Sequence, residues 1–150
     1  MEQDDILIKE IKEFKSIKNR KEEVSNKFAS EIIDSLNNYF LFHKVKTFFA
    51  RKIRIDNYIL YYKIIHYEYE NCIKIKIKYN KKILIKFETD FTFKYKISKS
   101  NLEIYKIDVE NLFYLQEFLN LFNKKNKEDL IEEKERLNYQ LELIKIFKDI

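Results

Sequence analysis

Residues 72–97, CIKIKIKYNKKILIKFETDFTFKYKI, alternate apolar and polar side chains almost without a break. A period of two is the mark of β-structure with one face buried and the other open. The stretch reads as three antiparallel strands, and the pattern continues on both sides of it. Six strands are predicted, at 44–55, 58–69, 72–79, 83–88, 91–98 and 102–107. Turn candidates separate them at Asp56-Asn57, Glu70-Asn71, Asn80-Lys81, Thr89-Asp90 and Ser100-Asn101. Each contains Asn or Asp, which tolerate left-handed backbone better than other residues with a side chain. They have to serve, because the chain contains no Gly and no Pro.

Parity then assigns faces. Residues directly opposite one another on paired strands share a face, and a slip of one residue reverses it. A two-residue turn at Asn80-Lys81 would set Ile77 opposite Leu84 and split the apolar side. A three-residue loop, 80–82, instead pairs Tyr79 with Ile83 and Ile77 with Ile85. The same reasoning favours loops at 88–90, pairing Phe87 with Phe91, and at 70–72, pairing Tyr69 with Ile73. The predicted inner face is Ile65, Tyr67, Tyr69, Ile73, Ile75, Ile77, Ile83, Ile85, Phe87, Phe91, Phe93, Tyr95 and Ile97. Tyr61 and Tyr79 fall on that side too, leaving Tyr62 and Tyr58 outside. The second strand is apolar on both faces near its start, which suggests cover on both sides or a bulge. The first strand alternates poorly at 47–50, where a bend is expected.

On either side of the sheet the period becomes 3.6. Leu7, Ile11 and Phe14, then Val24, Phe28, Ile32, Leu36 and Phe40, mark helix from Asp4 to Phe42. The polar run 18–23, with Asn19 and Glu22 at capping-box spacing, leaves one helix or two open. Asp108 is placed to cap a helix carrying Val109, Leu112, Leu115, Leu119 and Phe122. A loop is expected at 123–125, and then a last helix capped by Asn126, with Leu130, Leu137, Leu141, Ile144 and Phe147. Its stripe resembles a coiled-coil seam interrupted by Lys134 and Lys148. Residues 127–149 are therefore a candidate for homodimerisation. The fold class is α+β: a single domain, 1–150, with an antiparallel meander of five or six strands over about 44–107. A long N-terminal helical segment and two C-terminal helices pack on its apolar face. In arrangement only, this resembles helix-grip and cystatin-like architectures.

Composition narrows function chiefly by exclusion. Without glycine there is no phosphate-cradling loop and no dinucleotide fingerprint. One cysteine, Cys72, allows neither an internal disulfide nor a cysteine zinc site, and in a hairpin loop it is expected to be inert. His43 and His66 without a carboxylate pattern make no metal site. His66 and Glu68, two apart on a strand, could do acid–base work only with a third member, for which Ser98 or Ser100 would serve. His43 is expected to hydrogen-bond where helix meets strand. Acid-x-Lys spacing, a feature of metal-dependent nucleases, occurs at Glu10-Lys12, Glu13-Lys15 and Glu132-Lys134, all in helices, where it reads as solvated surface. No cofactor is expected. The N-terminus is acidic and amphipathic, and no apolar run reaches the roughly 20 residues of a membrane span, so a cytoplasmic protein without a membrane partner is expected.

Charge is the most informative feature. Residues 43–107 hold 16 Lys and Arg against 6 Asp and Glu, and the flanking segments hold 14 against 19. On the face opposite the inner one, the alternation places Lys74, Lys76, Lys78, Lys86, Lys94 and Lys96. Opposed lysines repel, and a polyanion would relieve that repulsion. The expected function is a non-enzymatic interaction protein with a protein or nucleoprotein partner. Small motif-free proteins from A+T-rich genomes include phage and mobile-element inhibitors of host defence machinery, such as anti-CRISPR proteins. The alternative is a nucleic-acid-binding protein that uses the lysine face directly.

Overall fold

The computed structural model describes residues 2–43, 51–92 and 96–149. Helix α1 spans Glu2–Phe42, and six strands follow: β1 Arg51–Ile55, β2 Tyr58–His66, β3 Asn71–Tyr79, β4 Lys82–Thr92, β5 Lys96–Ile97 and β6 Glu103–Ile107. A 3-10 turn at Val109–Asn111 leads into α2, Leu112–Asp149. All strand pairs are antiparallel, in the order β1-β2-β3-β4-β5, with β6 also on β4. The sheet is a half-barrel with the two helices against its apolar side. The α+β meander expected from the alternation is the fold observed. The poorly alternating segment 47–50 lies outside the described residues.

The central pairing agrees with the parity argument, but the chain reaches it differently. Ile77 lies opposite Ile85, and Ile75 opposite Phe87. The turn nevertheless has two residues, since Tyr79 pairs with Lys82. A bulge between the Lys78–Ile83 and Ile77–Ile85 pairs absorbs the odd residue, so Leu84 is buried as well. Asn80 takes φ 52° in this turn and Asp56 takes φ 50° in the β1–β2 turn, so Asn and Asp do stand in for glycine. The two turns are tied by the Asn80 N–H, which donates to the Asn57 carbonyl at 3.2 Å.

Two loop expectations fail. Residues 88–90 are not a turn: β4 runs straight through them, with Thr89 buried and its hydroxyl donating to the Ser98 carbonyl. Phe91 therefore pairs with Ile97 instead of Phe87. Phe93 and Tyr95, expected on the inner face, lie outside the described residues. The β2–β3 connection is a four-residue loop, 67–70, closed by the Tyr67 N–H on the Glu70 carbonyl at 2.8 Å. His66 pairs with Asn71, and Tyr62 with Ile75. This register reverses the parity of β2. Tyr58, Leu60, Tyr62 and Ile64 are buried; Ile65 and Tyr61 face outward, and Tyr67 and Tyr69 are exposed in the loop. The sequence misleads here because residues 58–65 are apolar on both faces, so alternation cannot select one.

The core joins the inner face to one half of each helix. Phe28, Ala29, Ile32, Ile33, Leu36 and Phe40 of α1 are buried, as are Leu115, Phe118, Leu119 and Phe122 of α2. Phe40 meets Tyr62 edge-on at 5.2 Å between ring centroids, and Tyr58 meets Phe118 at 5.7 Å. Each fully buried side chain of this size contributes about 1.5–3 kcal/mol.

Both helices are continuous. The polar run 18–23 does not break α1, because it holds no Pro or Gly and mostly strong helix formers. Nor does α2 break at 123–125, so a single long C-terminal helix replaces the expected two. The Asn residues read as loop and cap instead face α1. The Ser35 hydroxyl donates to Asn123 Oδ1 at 2.6 Å, and Asn126 Nδ2 donates to the Ser35 carbonyl at 2.9 Å. Asp108 supplies no side-chain cap; its carboxylate holds Lys82 at 2.8 Å and accepts from Asn111 Nδ2 at 2.9 Å.

Candidate binding face on the outer side of the sheet

The register builds one row of side chains straight across the sheet. Lys52 lies opposite Tyr61, Tyr61 opposite Lys76, Lys76 opposite Lys86, and Lys86 opposite Lys106. The flanking residues Ile53, Leu60, Ile75, Ile77, Ile85 and Phe87 are buried, so the row itself points away from the core. At about 4.8 Å between strands, the five-strand row is roughly 19 Å long. A second, shorter row lies beside it: Arg54, Ile59 and Lys78. Like charges placed directly opposite are destabilising, so the fold retains these lysines at a cost.

Tyr61 sits among the cations. Its ring centroid is 4.8 Å from the Lys76 ammonium, 5.3 Å from Lys52 and 5.7 Å from Lys78. Each lies within cation–π reach, worth about 0.5–1 kcal/mol at an exposed site. The ring thus gathers three ammonium groups and offsets part of their repulsion. Lysine stems held over an apolar surface also lose less freedom when an anion binds.

The charge reverses further along the sheet. In the row Lys63, Lys74, Glu88 and Glu103 the first two are basic and the last two acidic. Asp90 follows opposite Cys72. The Tyr105 hydroxyl donates to Glu88 Oε2 at 2.9 Å, and this bond, with some desolvation, pushes the phenol up to about 12. The outer face is therefore divided into a basic half and an acidic edge.

This layout reorders the lysines picked out by alternation. Lys76, Lys78 and Lys86 belong to the basic half. Lys74 lies opposite Glu88, at its margin. Lys96 lies opposite Thr92, six residues beyond Lys86 on β4 and so roughly 20 Å from the row. Lys94 lies outside the described residues. Alternation alone missed Lys52, Arg54, Tyr61 and Lys106. Lys52 and Arg54 could have been found from the alternation of RKIRI. Tyr61 could not, because its face depends on the β2 register.

The other candidates lie elsewhere. His66, exposed at the end of β2, shares a hydrogen bond with Asn71, whereas Ser98 shares one with Ser100 at 2.7 Å. Cys72 is in β3 and not in a loop; burial, followed by Glu88, Glu70 and Asp90, pushes its thiol up, away from the reactive thiolate. His43 links α1 to α2 through Asp129 at 2.9 Å and stacks on Tyr39. Between the helices, Glu31, Asp34, Gln116 and Lys127 line an open groove of about 640 Å³ around the Ser35–Asn126 contact. Among the described residues no group of three His, Cys, Asp or Glu side chains could hold a metal ion. Among the same residues no helix is long and apolar enough to cross a membrane. No protein-family model, curated protein or solved structure matches the chain.

Proposed function

We propose that the chain is a non-enzymatic interaction protein that binds a polyanion through the basic half of its outer sheet face. Single-stranded nucleic acid is the ligand the geometry supports best. The observation that carries this reading is Tyr61, an outward aromatic ring within 6 Å of the ammonium groups of Lys52, Lys76 and Lys78. Single-strand binders combine a basic track for phosphates with aromatic platforms for bases. Here the row supplies the track and Tyr61 the platform. A cytoplasmic setting fits such a ligand. The test is titration of labelled single-stranded and duplex DNA and RNA at two salt concentrations. The reading expects single strands to bind more tightly than duplexes, with a steep loss of affinity as salt rises. No binding at low salt removes it.

A second reading has its own observation. The three ammonium groups already crowd the Tyr61 ring, which leaves them, and not the ring, as the contact surface. An acidic face of another protein would then be the partner, as for a mobile-element inhibitor of host machinery. Binding to an acidic polypeptide but to no nucleic acid, with the same dependence on Lys76 and Lys86, separates this reading from the first.

A further inference from the structure

The basic row does not stop at the sheet edge. Strand β6 pairs with β4 alone among the described strands, and its other side lies against α1. Between strand and helix runs a cleft of about 430 Å³, lined by Lys18, Lys21, Ser25 and Asn26 of α1 and by Tyr105 and Lys106 of β6. Residues 18, 21 and 25 are three and four apart and so share one face of the helix. From Ser25 onward this face packs the core: Ser25, Ala29, Ile32 and Leu36 are all buried. Lys18 and Lys21 continue the same stripe past the sheet edge, where they are exposed. Glu22 is the acid in the lining. Among the described residues none of Lys18, Lys21 and Lys106 is held in an ion pair.

A bulge shapes the strand side of the cleft. Lys106 lies opposite Lys86 and Ile104 opposite Phe87, so Tyr105 is the extra, unpaired residue. Neighbouring residues of a regular strand point to opposite faces; here the bulge turns both Tyr105 and Lys106 to the outer side. The Tyr105 hydroxyl donates to Glu88 Oε2 at 2.9 Å, which fixes a ring that is 53% exposed. Among the described residues no ammonium lies over this ring, whereas three crowd Tyr61. Glu88 and Glu103 gather at the hydroxyl and repel phosphate from that end, which leaves the lysine side for the backbone of a ligand.

We infer that a single strand lying across the sheet continues over β6 into this cleft, with its phosphates on Lys106, Lys21 and Lys18 and a base stacked on Tyr105. The inference rests on the single-strand reading of the row and adds to it a second platform and a direction of travel. Tyr61 and Lys106 are three strand spacings apart, about 14 Å, so the two rings mark two points on one track. Alternating cations and open aromatic rings suit phosphates and bases in turn. An acidic protein surface would use the lysines and have no need of the ring.

The test is titration of a labelled single-stranded oligonucleotide with the full-length chain over a range of salt concentrations. Lys18→Gln/Lys21→Gln is expected to weaken binding at low salt and to make the slope of log affinity against log salt shallower by about 1.4. Arg20→Gln/Lys27→Gln removes the same charge from the far side of α1 at the same level, and is expected to leave the slope unchanged. Tyr105→Leu is expected to cost about fivefold or more in affinity, while Tyr105→Phe keeps most of it. All of these residues are exposed, and urea unfolding of each variant checks that the fold is intact. If Lys76→Gln/Lys86→Gln weakens binding but Lys18→Gln/Lys21→Gln and Tyr105→Leu do not, the strand stays on the sheet and this inference is overturned while the row stands. Equal effects of the near-side and far-side pairs overturn it too, since the helix then acts only through its net charge. A wild type that binds polyglutamate and no oligonucleotide overturns this inference together with the single-strand reading of the row.

Discussion

Lys76 of β3 lies directly opposite Lys86 of β4. Both point away from the core, and neither is needed to pack it. Replacing Lys86 by an acid removes two like-charge contacts, because Lys86 also opposes Lys106. Lys86→Glu is therefore expected to stabilise the fold by about 0.5–1 kcal/mol and at the same time to weaken polyanion binding. Urea unfolding and a binding titration on the same variant check both signs. A variant that loses stability would mean that the row is not repulsive in the free protein.

Tyr61 separates the two functional readings. If a base stacks on the ring, Tyr61→Leu costs about 1–3 kcal/mol of single-strand affinity, while Tyr61→Phe keeps most of it. If only the lysines make contact, both variants bind nearly as the wild type does. Fluorescence anisotropy with a labelled oligonucleotide distinguishes these outcomes.

Asn80 carries the two-residue turn at φ 52°. Asn80→Gly is expected to hold or slightly raise stability, because glycine adopts that backbone without strain. Asn80→Val is expected to cost about 1–2 kcal/mol, since a β-branched side chain resists positive φ. Equal effects of the two substitutions would indicate a different turn and a different bulge.

The Lys82–Asp108 pair fastens the β3–β4 turn to the start of the C-terminal segment. The Lys82 ammonium, chiefly by its hydrogen bond, holds the Asp108 carboxyl below the usual aspartate range. A depressed carboxyl contributes stability that is present above its unfolded value and is lost as pH falls through the folded one. Lys82 is raised by the same bond, so its share is present below the ordinary lysine value and is lost as pH rises through the folded one. Wild type and Lys82→Met should differ in stability at neutral pH and converge in acid once Asp108 is protonated. In the variant, the Asp108 carboxyl should titrate closer to an ordinary aspartate by NMR. A titration unmoved by the substitution would contradict the bond.

Much of this was legible in the sequence, and the failures share one physical cause. Where polar and apolar residues alternate strictly, as at Ile73–Ile77 and Ile85–Phe87, burial fixes register, and the Ile77–Ile85 pairing followed. Where both faces are apolar, as at residues 58–65, alternation is silent, so Tyr61 and Tyr62 exchanged places. Thr89-Asp90 looked like a turn because its residues are polar; yet Thr89 is buried, its hydroxyl satisfied by the carbonyl of Ser98, the residue that follows β5. Asn123 and Asn126 looked like loop and cap for the same reason. Their partner is Ser35, about 90 residues earlier, and no local pattern announces such a contact. Of the candidate face, Lys76, Lys78 and Lys86 were readable from one strand pair. The row that unites them with Lys52, Tyr61 and Lys106 required the register of all five strands.

The central claim is that this row binds a polyanion, and its most direct test is the salt dependence of single-strand affinity. The measurement compares the wild type with Lys76→Gln/Lys86→Gln, titrating a labelled single-stranded oligonucleotide over a range of salt concentrations. Each lysine that neutralises a phosphate adds about 0.7 to the slope of log affinity against log salt for single strands. The double variant should therefore bind more weakly at low salt, with a slope shallower by about 1.4. A double variant with the wild-type affinity and slope would contradict the assignment of binding to this face.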